Sequence, residues 1–260
     1  MLPAPVKRVG LRSGIVLLCS AAVTVASGPV VQSAPANPDP GKLVCAAGKA
    51  MVDFAGRSWQ VKRRGTPVGP GPNRFSGANV CTGPDGLHLR ISQDRQGRWQ
   101  SAEVNLPQSL GYGTYTWTLS SRVDRLNAQA VLGLFTYASD AQELDIEFAR
   151  WGWAQDPTNA QYVVQPWDRP GNLRRFTLPP VRSSTHSLTW LPGSVSYAST
   201  ASNGSWSYAW EHGSSDVPMP GPERVHLNLW LYQGKPLADG ARMAEVVISD
   251  FAFRPATDLG

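Results

Sequence analysis

Residues 142 to 148 read Gln142-Glu143-Leu144-Asp145-Ile146-Glu147-Phe148, three acids alternating with three large apolar residues. That period of two belongs to a strand with one wet face and one dry face. On a helix, Glu143 and Glu147 would be neighbours while Asp145 pointed away. The same alternation recurs in Tyr115-Thr116-Trp117-Thr118-Leu119-Ser120 and in Ser205-Trp206-Ser207-Tyr208-Ala209-Trp210. Further strands are expected near residues 129–136, 161–165, 187–190, 194–199, 224–231 and 244–253. Asn203-Gly204, a dipeptide that accepts positive φ at both central positions of a turn, predicts a hairpin joining residues 194–199 to 205–210. The 25 Gly and 22 Pro among 260 residues argue against a helical bundle. Many short strands with no long amphipathic helix between them predict an all-β fold, an antiparallel β-sandwich, with a closed barrel as the alternative.

The charge distribution narrows the partners. The formal charge is +5, but Lys7, Arg8 and Arg12 stand in a first stretch of 36 residues with no acid, and the remaining 21 bases face 19 acids. A net +2 is too small for a phosphate-backbone binder, so nucleic acid is excluded as a partner, and Lys62-Arg63-Arg64 is expected to be a solvated loop. The basic start, the apolar run 15–26 and the small residues Ala34-Pro35-Ala36 predict an export signal over 1–36. No run reaches the roughly 20 apolar residues of a membrane span. Residues 37–44 are expected to form a linker and 45–260 one domain, secreted and monomeric, with an irregular loop over 64–73. Cys19 falls in the signal. Cys45 and Cys81 remain, to form one disulfide in an oxidising compartment or to stay as two buried thiols.

Three acids on one strand face repel, raising the pKa of at least one, and no base follows locally until Arg150. A solvated face or a calcium site would also show alternating acids. Retaining glycoside cleavage gives a specific reason for the row. It needs a carboxylate nucleophile and a protonated carboxylic acid about 5 to 5.5 Å apart. Glu143 and Glu147 have α-carbons roughly 13 Å apart on a strand. If each side chain leans toward the other, the carboxyls come within about 5 Å.

The string 143–148 closely resembles the active-site strand of glycoside hydrolase family 16, β-glucanases and transglycosylases on a concanavalin-like jelly roll. Gly113-Thr114-Tyr115, the His186 to Val195 region, Leu227-Asn228-Leu229-Trp230 and the segment 244–253 are similar to other family segments in the same order. Leu188 stands where the family usually has an aromatic residue, and Ala141-Gln142 replaces the aromatic or acidic residues common before the nucleophile in lichenase-like members. The resemblance implies Glu143 as nucleophile, Asp145 as assisting carboxylate and Glu147 as general acid/base, with no cofactor. The acid strand lacks the extra residue that some members carry, the form seen in lichenases and in xyloglucan-type or fungal-wall transglycosylases. Trp230 and Asn228 are expected to line the cleft, with Trp151, Trp167 and Gln165 as further contacts to a polysaccharide. Gln161 shares a strand face with Gln165. Asp250 matches an acid that lies beside a structural calcium ion in some members. The four His, at 88, 186, 212 and 226, are too scattered for a metal pattern and are expected to be structural. A non-catalytic carbohydrate-binding protein on the same sandwich is the alternative, and an extracellular structural domain a third.

Overall fold

Period-two alternation does build the molecule. The computed structural model describes residues 41–258, and the expected export signal at 1–36 lies outside them. An eight-stranded sheet runs in the order Leu173–Phe176, Ala160–Val164, Gln142–Phe148, Ala130–Ser139, Arg224–Leu231, Ala102–Asn105, Arg57–Val61 and Met51–Phe54. A nine-stranded sheet runs Val44–Cys45, Val80–Gly83, Gly86–Gln93, Met243–Pro255, Gly113–Leu119, Ser184–Leu191, Ser194–Ala201 and Ser207–Gly213, with Trp99–Gln100 paired beside Gly86–Gln93. Their ladders are antiparallel, and no ladder joins one sheet to the other, so the sandwich is open rather than a closed barrel.

The core lies between the sheets. Leu144, Ile146 and Phe148 from one side share it with Tyr115, Trp117 and Leu119 from the other. Each such side chain contributes about 1.5–3 kcal/mol on leaving water. A slip of one residue would bring the acids of 142–148 into this core, so the burial of Leu144, Ile146 and Phe148 is what turns Glu143, Asp145 and Glu147 outward.

Several expectations need correction. Residues 64–73 are not an irregular loop throughout, because Arg64–Val68 and Asn73–Phe75 pair as a two-stranded ribbon. The hairpin at Asn203-Gly204 forms, but only Gly204 has positive φ, at 70°. Its N–H donates to Ala201 O at 2.8 Å, closing an ordinary turn over residues 201–204 with the glycine as its last residue, while Asn203 Oδ1 accepts from Ser205 N at 3.1 Å. Val44, placed in the linker, already pairs with Thr82. No strand was expected before residue 110, although Leu87-His88-Leu89-Arg90-Ile91 alternates as cleanly as the acid strand and lies within Gly86–Gln93.

Cys45 and Cys81 are disulfide-bonded across the first ladder of the nine-stranded sheet, 36 residues apart in sequence. Closing a loop of that length in the unfolded chain stabilises by about 3–4 kcal/mol in the chain-entropy account. The double variant Cys45→Ala, Cys81→Ala should therefore unfold at a clearly lower denaturant midpoint, and an unchanged midpoint would refute this. Among the described residues no helix is long and apolar enough to cross a membrane.

Candidate active site

The outward row of the acid strand sits mid-sheet, between Ala130–Ser139 and Ala160–Val164. Glu143 faces Tyr137 across the ladder. Asp145 lies between Phe135 and Val163, and Glu147 between Gly133 and Gln161. Gly133 matters by what it lacks: a Cβ there would lie 2.5 Å from Asn228 Oδ1. Its absence leaves room beside Glu147 and lets the Asn228 amide approach. All three acids line a pocket of about 300 Å³, together with Lys62, Glu103, Phe135, His226, Asn228 and Trp230. Glu147 also lines a second space of about 630 Å³ formed by Trp151, Gln161, Gln165, Trp167 and Arg175.

Burial and mutual repulsion keep these acids from holding three full charges. Burial pushes Glu143 up to about 7, against a hydrogen bond from Asp145 that favours its ionised form, while the Glu147 charge raises it further. Asp145, only 3% exposed, is raised well above the usual carboxylate range by burial and then by the charges of Glu143 and Glu147. Glu143 and Asp145 therefore titrate as a pair, each raised because the two cannot easily carry both charges side by side. Burial also pushes Glu147 up to about 7, opposed by the Gln161 hydrogen bond and the Arg175 charge. Arg150, the base nearest in sequence, does not serve the acids, because its guanidinium donates to Asp124 O at 3.2 Å.

The site residues expected from sequence are gathered here. Trp230 is nearly buried, packed with Phe75, Val131 and Ala149, and shows the pocket one edge. Trp151, at φ 50°, sits with its ring centroid 6.1 Å from that of Trp230. Trp167 is 61% exposed, a free platform on the wall of the second space. Asn228 lines the pocket, with its Oδ1 buried against Gly133 and without a hydrogen-bond partner. Gln165 Nε2 lies 3.3 Å from Asp145 Oδ2, so this amide is turned to the acid row.

No family model matches the sequence, and no curated protein does. Solved structures match. A Bacillus licheniformis β-glucanase superposes with a TM-score of 0.60 at 18% identity, over 75% of this chain and 91% of that one. A β-1,3-1,4-glucanase (lichenase) from a mouse hindgut metagenome gives 0.58 at 20% identity, over 76% and 92%. The chain has the β-glucanase fold. A third structure, described as an immunostimulatory antigen and pseudo β-1,3-glucanase of Mycobacterium tuberculosis, gives 0.55 at 19% identity, over 74% of this chain and 88% of that one.

On this β-glucanase fold, sequence reasoning missed part of the pocket. Lys62, assigned to a solvated loop, donates from Nζ to Glu103 Oε2 at 2.7 Å and to Gly69 O at 2.9 Å. His226 has a place in the pocket wall besides a structural one: it stacks on Phe135 and holds Glu103 Oε1 at 3.0 Å through Nδ1. Its signal was available, since His226, Asn228 and Trp230 stand two apart on one strand. Glu103 likewise alternates with Ala102 and Val104. Arg175 precedes the buried Phe176, which places it on the outer face.

Proposed function

We propose that the chain is a secreted, retaining glycoside hydrolase or transglycosylase that cuts within β-linked polysaccharide such as β-glucan. The observation that carries this is the outward row Glu143, Asp145 and Glu147 gathered in one pocket, where burial and mutual repulsion keep the three from all being charged at once. Glu143 attacks the anomeric carbon. Glu147, with its pKa near 7, is protonated in mild acid and gives its proton to the leaving oxygen. The resulting carboxylate then takes a proton from water or from an acceptor sugar, which releases the glycosyl group with net retention. This chemistry draws on no cofactor. Trp167 and Trp151 offer aromatic faces to pyranose C–H surfaces, while Trp230 adds an apolar edge and Asn228 a polar side chain to the pocket wall. The Cys45–Cys81 bond supports an oxidising, extracellular compartment.

The test is reducing-end release from a panel of β-1,3-, β-1,4- and mixed-linkage glucans, with the first-formed anomer followed by proton NMR. Release of the β-anomer supports the proposal, and first release of the α-anomer overturns the retaining mechanism. Retention on a polymer column without cleavage of any glucan would instead favour the non-catalytic binder, a reading supported by the pseudo-glucanase on the same fold.

A further inference from the structure

Glu147 is the end of a chain of polar side chains running outward across two strands. Gln161, buried and opposite it in the ladder, lies with Nε2 2.7 Å from Glu147 Oε2. Its Oε1 accepts from Trp151 Nε1 at 3.2 Å and from Arg175 Nη1 at 2.9 Å. An indole N–H and a guanidinium are donors only, so the amide can meet them only with its oxygen. The NH₂ is thereby forced toward Glu147. Arg175, opposite Gln161 in the next strand, is itself fixed by Asp156 Oδ2 at 2.6 Å, Thr158 Oγ1 at 2.6 Å and Thr158 O at 3.1 Å.

We propose that Arg175 is a positioning residue for Glu147, acting through the locked Gln161 amide so that the exchangeable proton of Glu147 is confined to Oε1. The proposal rests on the assignment of Glu147 as the acid/base. A proton on Oε2 would meet the incoming N–H of Gln161, whereas Oε1 is free to carry it toward a leaving oxygen. The arrangement serves both halves of the reaction. The donated N–H and the guanidinium charge stabilise the carboxylate once the proton has gone, and Asp156 behind Arg175 moderates that pull so that the acid still forms.

The other groups facing Glu147 do not duplicate this. Asp145 and Glu143 on its own strand are acids, and Gly133 across the ladder carries no side chain. Beyond Gly133 stands neutral Asn228, followed by Glu103, whose two oxygens are taken by His226 and Lys62. Asp140 lies at the Glu143 end of the pocket. Arg175 is the cation directed at Glu147 from the Gln161 side.

Two substitutions should move Glu147 in opposite directions. Arg175→Met removes the charge and frees the amide, raising the Glu147 midpoint. Asp156→Asn leaves the Arg175 charge unopposed and lowers it. The midpoints are read by NMR titration of protein carrying ¹³C-carboxyl glutamate, with the Glu147 signal assigned through Glu147→Gln. Opposite displacements of about half a pH unit or more are expected, with the basic limb of kcat/KM following each. Should Arg175→Met fail to fold, Asp156→Asn decides alone. No displacement, or displacement in one direction by both, overturns the proposal. Opposite displacements in a protein that cleaves no glucan leave the Arg175 role standing and remove the glycosidase reading.

Discussion

Glu143→Gln should lower glucan cleavage by at least about a thousandfold while leaving polymer retention intact, since loss of a nucleophile removes the covalent step and not the binding surface. The glutamine fits the same space, so the pocket keeps its shape. A second variant tests the chemistry more directly. Glu143→Ala opens a hole beside the anomeric carbon, which azide can enter. With Glu147 still giving its proton to the leaving oxygen, azide attack on a β-glycoside with an activated leaving group should yield an α-glycosyl azide. Full activity in Glu143→Gln would end the nucleophile assignment. A β-configured azide product would show that attack does not come from the Glu143 side.

Stability should fall, not rise, between pH 4.5 and pH 8. Burial raises Glu143 and Glu147 from 4.5 to about 7 and also lifts Asp145, so across this interval the folded chain binds more protons than the unfolded one at all three acids. Stability then decreases as pH rises, by up to about 3 kcal/mol for each Glu at full ionisation. His186 acts the other way. It is fully buried between Ser184 Oγ and Ser199 Oγ, and burial pushes it down to about 3, so it opposes folding as pH falls below the unfolded value of 6.5. Three groups pull one way and one pulls the other between about pH 4.5 and 6.5, so the acids win. Below that interval the Glu contributions vanish and His186 still costs stability, which places the maximum from these groups near pH 4.5. Denaturant unfolding at pH 4.5, 6 and 8 checks this, and Glu143→Gln should flatten the profile while stabilising at pH 8. A profile that climbs from 4.5 to 8 would contradict the burial of the acid row.

The sandwich and its acid row were legible because one short string, 142–148, carries both a dry face and a wet face with nothing ambiguous between them. The strand over residues 224–231 was legible for the same reason, whereas 244–253 has apolar residues on both parities and a register shift opposite Asp250. What was hidden needed the third dimension. The base that serves Glu147 is Arg175, 28 residues away, brought beside it by two ladders, while Arg150 at closer range turns to Asp124 O. Lys62 was read as solvated because a run of three bases looks like a loop, and only the pairing of residues 57–61 with 102–105 brings Glu103 to it. Gly133 could not be singled out among 25 glycines until Asn228 was found against it.

The sheets also end in a way that bears on how copies of this chain meet. Their outermost strands are Val44–Cys45 with two residues, Met51–Phe54 and Leu173–Phe176 with four each, and Ser207–Gly213 with seven. The first is pinned by its sulfur bridge, and the others carry Asp53, Arg174 and Glu211 on exposed positions. Brief, charged margins offer a neighbouring polypeptide little unpaired backbone to zip onto. A protein two-fifths apolar is in this way given little means of templating its own fibrils.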